Sequence, residues 1–180
     1  MAKMFLMCGH PGSGKSYFAK RFAEINGYRY LAIDDTYAYF NGSPYSHDNK
    51  FDVWMTFFRQ IHAAEMAGVD IVVDTNAPTR IDRAEFTSWF PTFEHHLIWV
   101  DAYQKQCLEN NQKRGRVIPD DQMYKIFNYF EYPDKQEFYS FNPRANWKSF
   151  SVIRNFENHF NPRETLYGEF PKDTKEYEEE

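Results

Sequence analysis

The residues able to do chemistry cluster near the start of the chain, where Gly9-His10-Pro11-Gly12-Ser13-Gly14-Lys15-Ser16 fits G-x-x-x-x-G-K-[ST] at every fixed position. Such a spacing wraps phosphates: the glycines let successive backbone N–H groups face one anion, and a helix starting there adds its partial positive charge. Lys15 has the reach to meet β- and γ-phosphates, and the Ser16 hydroxyl is a magnesium ligand. Gly9, Pro11, Gly12, Ser13, Gly14, Lys15 and Ser16 are thus the expected nucleotide-binding set, with ATP and Mg²⁺ as ligands. Asn49-Lys50-Phe51-Asp52 also fits the guanine-reading N-K-x-D, but it directly precedes a helix early in the chain. A base-reading loop follows a late strand, so we read this match as coincidence.

Carboxylates recur where apolar runs end: Asp34-Asp35, Asp74 and Asp101. Ligands of open α/β sheets bind beyond the carboxyl ends of the strands. A hydroxyl that accepts a phosphoryl group needs a carboxylate within hydrogen-bond reach to take its proton. Asp34 and Asp35 are the candidates for that role. Asp74 closes a hydrophobic strand and is expected to order magnesium-bound water or to touch the acceptor. Lys113-Arg114-Gly115-Arg116 sets three cations around one glycine, the composition of a lid over a triphosphate. Arg114 and Arg116 therefore join the nucleotide-binding set, because an arginine there neutralises charge on the transferred group.

The elements that must position these groups alternate. Met4–Met7 is a short apolar run, as expected of a strand covered on both faces. Phe18, Phe22 and Ile25 fall at helical spacing before Gly27. Tyr30–Ile33 reads as a second strand, Val53–Ala64 as a helix closed by Gly68, and Ile71–Val73 as a third strand. Thr79 caps a short helix through Phe90, and Leu97–Val100 is the fourth strand. Helices over 103–112 and around Met123–Phe130 follow, with Ser149–Ile153 a candidate fifth strand; residues 41–50 read as a loop. The pattern predicts a three-layer α/β phosphate-loop NTPase fold: a parallel sheet of four to five strands, helices on both faces, and a helical lid over about 103–131.

Residues 173–180 hold five acidic side chains and one lysine, so nearly all of the net charge of −5 resides in that tail. The rest, residues 1–172, reads as one near-neutral domain. A pI near 5.7 argues against a broad grip on duplex DNA. No apolar run approaches the roughly 18 residues of a membrane span, and Met1–Cys8 carries no signal-peptide cleavage pattern. Cys8 and Cys107 form no CxxC, which argues against a disulfide framework or thiolate zinc site. The expected location is the cytoplasm. His95-His96 point apart on a strand, so no metal site is expected there.

Taken together, GHPGSGKS, Asp34-Asp35, VDTN at 73–76 and QKRGRVIP at 112–119 resemble the 5′-kinase domain of phage-type polynucleotide kinases over about residues 2–132. The resemblance implies that Asp34 is the general base, that Asp74, Thr75 and Asn76 lie on the acceptor side, and that Arg114 contacts the transferred phosphate. Tyr37 stands where the family carries its acceptor-phosphate arginine. Arg80 or Arg83 is the candidate replacement, and Arg80 joins the expected acceptor-binding set. No D-x-D-x-T occurs, so a 3′-phosphatase activity is not expected. The leading expectation is transfer of the ATP γ-phosphate to a nucleic acid or nucleotide hydroxyl, a polynucleotide 5′-OH first. The alternatives are a kinase of a small molecule or modified base, and a nucleotide-binding module without transfer.

Overall fold

The computed structural model describes residues 1–44, 48–115, 117–134, 137–138, 147–156, 159–161 and 165–168. Strand β1 (Lys3–Cys8) carries the sequence's continuous apolar run, buried from Met4 onward. Its side chains alternate between two cores. Met4, Leu6 and Cys8 enter one cluster, and Phe5 and Met7 enter the other. This is why the run lacks polar alternation: neither face of the strand meets water.

Helix α1 (Lys15–Asn26) covers the second core with Phe18 and Phe22 and ends at Gly27, whose φ of 68° is the left-handed cap conformation. Strand β2 (Arg29–Ala32) passes without a loop into helix α2 (Ile33–Asn41). Helix α3 (Lys50–Ala67) and helix α4 (Arg80–Trp89) pack on the first core through Val53, Phe57, Ile61 and Phe86. Between them runs β3 (Ile71–Asp74). Thr79 caps α4 as expected: its hydroxyl accepts from the Asp82 N–H while Asp82 accepts from the Thr79 N–H. Strand β4 (Glu94–Asp101), helices α5 (Gln104–Gln112) and α6 (Asp120–Tyr129), and β5 (Trp147–Phe156) complete the main frame. Short strands β6 (His159–Asn161) and β7 (Thr165–Gly168) follow.

The sheet order is β2-β3-β1-β4-β5-β6, with β7 also on β5. Strands β2, β3, β1, β4 and β5 are parallel, whereas β6 and β7 run antiparallel to β5. The expected parallel α/β sheet is therefore present with five parallel strands. Chain connections diverge to either side of β1, so a crevice opens at its carboxyl end. The phosphate loop begins there.

Two elements differ from the sequence reading. Asp34 and Asp35 lie in the first turn of α2 rather than at a strand end. Negative charge is favourable at that helix start, where no side chain caps the free N–H groups. Strand β4 starts at Glu94, before Leu97, because it pairs with β1 from Lys3 onward, and this buries His95 and His96. His96 bonds Ser149 at 2.7 Å and Glu94 at 2.9 Å, while its ring stacks on Phe5. Residues 173–180, the acidic tail of the sequence reading, lie outside the described residues.

Burial pushes both His10 and His95 from 6.5 down to about 4. Between those values the unfolded chain holds more protons than the folded one, so stability falls as the pH drops. Each histidine contributes up to about 1.4 kcal/mol per pH unit inside that window. Urea midpoints should fall progressively between about pH 7 and pH 5, and His95→Gln should flatten the fall. A constant wild-type midpoint would contradict buried, neutral histidines.

Candidate active site

The phosphate loop is shaped by close backbone approach. Gly12, at φ 84°, leaves no room for a side chain: a Cβ there would lie 2.3 Å from the Cys107 carbonyl oxygen of α5. A Cβ on Gly9 would lie 2.7 Å from the Val100 carbonyl oxygen of β4. Two asparagines fix the loop's carbonyls. Asn110 Nδ2 donates to Gly12 O at 2.9 Å, and Asn155 Nδ2 donates to Ser13 O at 2.7 Å. Peptide planarity then turns the Gly14 N–H away from Asn155. Gly14 itself, left-handed at φ 88°, leads into α1.

His10 fastens the loop to α6. Its Nε2 lies 3.2 Å from the Tyr132 hydroxyl, and its ring meets Phe127 and Phe130 at 4.8 and 4.5 Å. Sequence reading missed His10, Asn110 and Asn155, because each acts through a partner remote in sequence.

Lys15 Nζ lies 3.1 Å from Asp74 Oδ1, and both residues are buried. Burial alone raises the Asp74 pKa. The Lys15 ammonium outweighs it, aided by hydrogen bonds from Ser16, Tyr30 and Lys15, and holds the carboxyl below its ordinary value. A cleft of about 150 Å³ opens on this pair. Of the expected nucleotide residues it brings together Pro11, Gly12, Lys15, Ser16 and Arg114. On its other side stand Asp34, Asp74, Thr75 and Asn76. Gly9, Ser13 and Gly14 serve as loop backbone without lining it, and Arg116 lies outside the described residues. Arg114 is exposed, but the base of its loop is fixed: Asn111 Nδ2 donates to Ile118 O at 2.7 Å, and its Oδ1 accepts from Ile118 N at 3.0 Å.

Asp34 faces the opposite balance. Although Asp34 is solvent-exposed, partial desolvation of its carboxylate in the cleft mouth raises its pKa above 3.8, the nearby Asp74 and Asp35 add to the rise, and Lys15 and Arg114 oppose it. Beyond Asp34 lies a second cleft of about 570 Å³. It shares Ile33, Asp34, Thr75 and Asn76 with the first, and its walls include Tyr37, Trp54, Phe58, Phe86, Trp89 and Tyr129. Asp34 thus stands between the cleft at the phosphate loop and an aromatic one. Asp35 lines neither cleft.

The arginines expected to grip an acceptor phosphate are engaged with protein carboxylates, beginning with Arg80. Its guanidinium pairs with Asp134, its N–H donates to Glu131, and it lines neither cleft. Arg83 is fully buried and bidentate to Glu137 at 2.7 and 2.8 Å. It also donates to the carbonyls of Ala77, Pro78 and Glu131. Ala77 has a φ of 37°, a conformation that favours glycine, so Arg83 holds a strained turn directly after Asn76.

The donor set fits a magnesium-bound nucleotide: a glycine cradle, one lysine, one hydroxyl and one carboxylate. Among the described residues no group of three or more histidine, cysteine or acidic residues is placed to hold a metal ion by itself. No helix there is long and apolar enough to cross a membrane.

The family model described as AAA domain matches residues 4–133. No curated protein matches the chain. Among solved structures, a sugar kinase from a Janibacter species superposes with a TM-score of 0.63 at 17% identity, covering 86% of each chain. A gluconokinase from Sinorhizobium meliloti gives 0.57 at 16% identity, covering 84% of this chain and 82% of that one. A chain of the Pnkp1/Rnl/Hen1 RNA repair complex gives 0.65 at 15% identity, covering 71% of this chain and 43% of that one. These likenesses establish a kinase-like phosphate-loop fold.

Breaking a buried pair leaves an uncompensated charge, so Arg83→Ala should lose about 3–5 kcal/mol in urea unfolding. Arg80→Ala, at a half-exposed pair, should lose about 0–1 kcal/mol. Equal small losses would mean that the Arg83 pair does not hold the turn.

Proposed function

The chain belongs to the AAA domain family, and from that premise we propose that it is an ATP-dependent kinase phosphorylating a hydroxyl of a nucleoside- or nucleotide-sized acceptor. One observation carries the reading: Asp34, Thr75 and Asn76 border both clefts, one built for phosphates and the other lined with aromatic rings. Rings of this kind stack planar groups. Lys50 is the one cation among the described residues lining the second cleft, beside Asp82 and Glu85. That balance suits a small acceptor better than a phosphate backbone, which needs a basic track.

In the reaction the acceptor oxygen bonds the γ-phosphorus, the bond to the β,γ-bridging oxygen breaks, and the hydroxyl proton passes to Asp34. Lys15 and the loop N–H groups hold the triphosphate, and Arg114 offsets charge on the equatorial oxygens. Ser16 and Asp74 would hold Mg²⁺, which neutralises charge on the β- and γ-oxygens when bound. A raised pKa suits Asp34 to proton acceptance, because a stronger base accepts more readily. A second reading, transfer to a polynucleotide 5′-OH, is supported by the order of the phage-kinase motifs and by the same rings as strand-end platforms.

Radiolabelled ATP offered with nucleosides, nucleotides, sugars and 5′-OH oligonucleotides separates the readings. Labelled nucleosides or nucleotides, with KM indifferent to salt, are expected. Preferential labelling of oligonucleotides, with KM rising steeply with salt, would move the assignment to the second reading. Asp34→Asn should lower kcat by roughly 10²-fold while leaving KM for ATP unchanged. In the wild type kcat/KM should fall as the pH drops through the raised Asp34 value, and full activity in Asp34→Asn would remove the base assignment.

A further inference from the structure

Asp74 is bound from two sides by residues of different kinds. Lys15 Nζ donates to Oδ1 at 3.1 Å, and the Tyr30 hydroxyl donates to Oδ2 at 2.7 Å. The second contact follows from the sheet. Strand β2 pairs with β3 so that Tyr30 stands opposite Val72 and Ala32 opposite Asp74. Tyr30 and Asp74 are therefore diagonal neighbours on one face, within reach of a long side chain. Lys20 Nζ lies 5.5 Å above the Tyr30 ring, and the ring packs against the core that includes Phe5 and Phe22. The hydroxyl is thus presented by a ring that is held independently of the cleft.

The two contacts have different fates in the reaction proposed above. Lys15 is needed by the β- and γ-phosphates, so a bound nucleotide draws it from Oδ1. Tyr30 is not a phosphate-loop residue, and it does not line the nucleotide cleft. A carboxylate as buried as Asp74, only 4% exposed, would be left without a partner if Lys15 were its sole donor. It would then take up a proton or turn toward the departing lysine.

We propose that Tyr30 is a positioning residue for phosphoryl transfer, anchoring Asp74 Oδ2 while Lys15 exchanges Oδ1 for the nucleotide. Oδ1 is then the oxygen left toward Ser16 and the cleft. This assignment rests on the phosphate-loop reading of Lys15 and Ser16, and it is independent of which acceptor is used.

Tyr30→Phe deletes one oxygen and keeps the ring under Lys20, so the fold should survive, as checked by near-UV circular dichroism and the thermal midpoint. Loss of a residue that orients a ligand typically costs 10- to 100-fold, and a kcat reduction of roughly that size is expected with KM for ATP nearly unchanged. Calorimetry with ADP gives a readout apart from turnover: Mg²⁺ should tighten ADP binding less in Tyr30→Phe than in wild type, while Mg²⁺-free ADP affinity stays the same. In an Asp74→Asn background the Tyr30 change should add little, since the two act as one unit. Wild-type kcat and Mg²⁺ response in Tyr30→Phe would overturn the proposal, as would independent addition of the two substitutions. A wild-type protein that fails to bind ADP at all would instead overturn the phosphate-loop reading, and the Tyr30 role with it.

Discussion

A negative charge buried at the carboxyl end of β3 is the constraint that organises the cleft. Asp74 is nearly inaccessible to water, so its ionised form survives only because cationic and hydroxyl donors converge on it. Those donors come from separate pieces of chain: Lys15 and Ser16 from the first turn of α1, and Tyr30 from β2. Satisfying one carboxylate therefore fixes the phosphate loop against the third strand and the second strand against both. The order β2-β3-β1 is what allows it, since Asp74 pairs with Met7 on one side and Ala32 on the other.

Legibility in the sequence followed how local each cause was. The phosphate loop, the Thr79 cap and the glycine stops after α1 and α3 are written in a few adjacent residues, and they stand where expected. Helix α2 escaped because no turn residue separates it from β2, and Asp-Asp-Thr-Tyr-Ala-Tyr-Phe carries little helix propensity. Tyr30 looked like an ordinary strand aromatic, since its partner is 44 residues away. Arg80 and Arg83 invited a substrate role for the opposite reason: their motif neighbours are close in sequence, while Asp134 and Glu137 are 54 residues on. The lysine-arginine loop was legible as a feature, yet the Asn111 bonds that close its base were not.

The two clefts are built by different means. On the loop side, backbone geometry dominates, and glycines are required because α5 and β4 approach too closely for side chains. On the aromatic side, side-chain character dominates, with rings from α2, α3, α4 and α6 around a rim of few charges. Between them the raised Asp34 and the depressed Asp74 titrate in opposite directions within one pocket. In the proposed reaction that separation would suit one aspartate to receive a proton and the other to stay ionised.

The family match ends at residue 133, but the physical boundary of the folding unit does not. Glu137, past that edge, supplies the carboxylate for the fully buried Arg83 guanidinium. Asn155, farther still, holds the Ser13 carbonyl of the phosphate loop. A fragment trimmed to the matched region would carry every motif residue and yet strand a cation in its core and free one wall of the anion cradle. The motifs define a recognisable module, whereas charge compensation defines a larger indivisible one reaching at least to Asn155 near the end of β5.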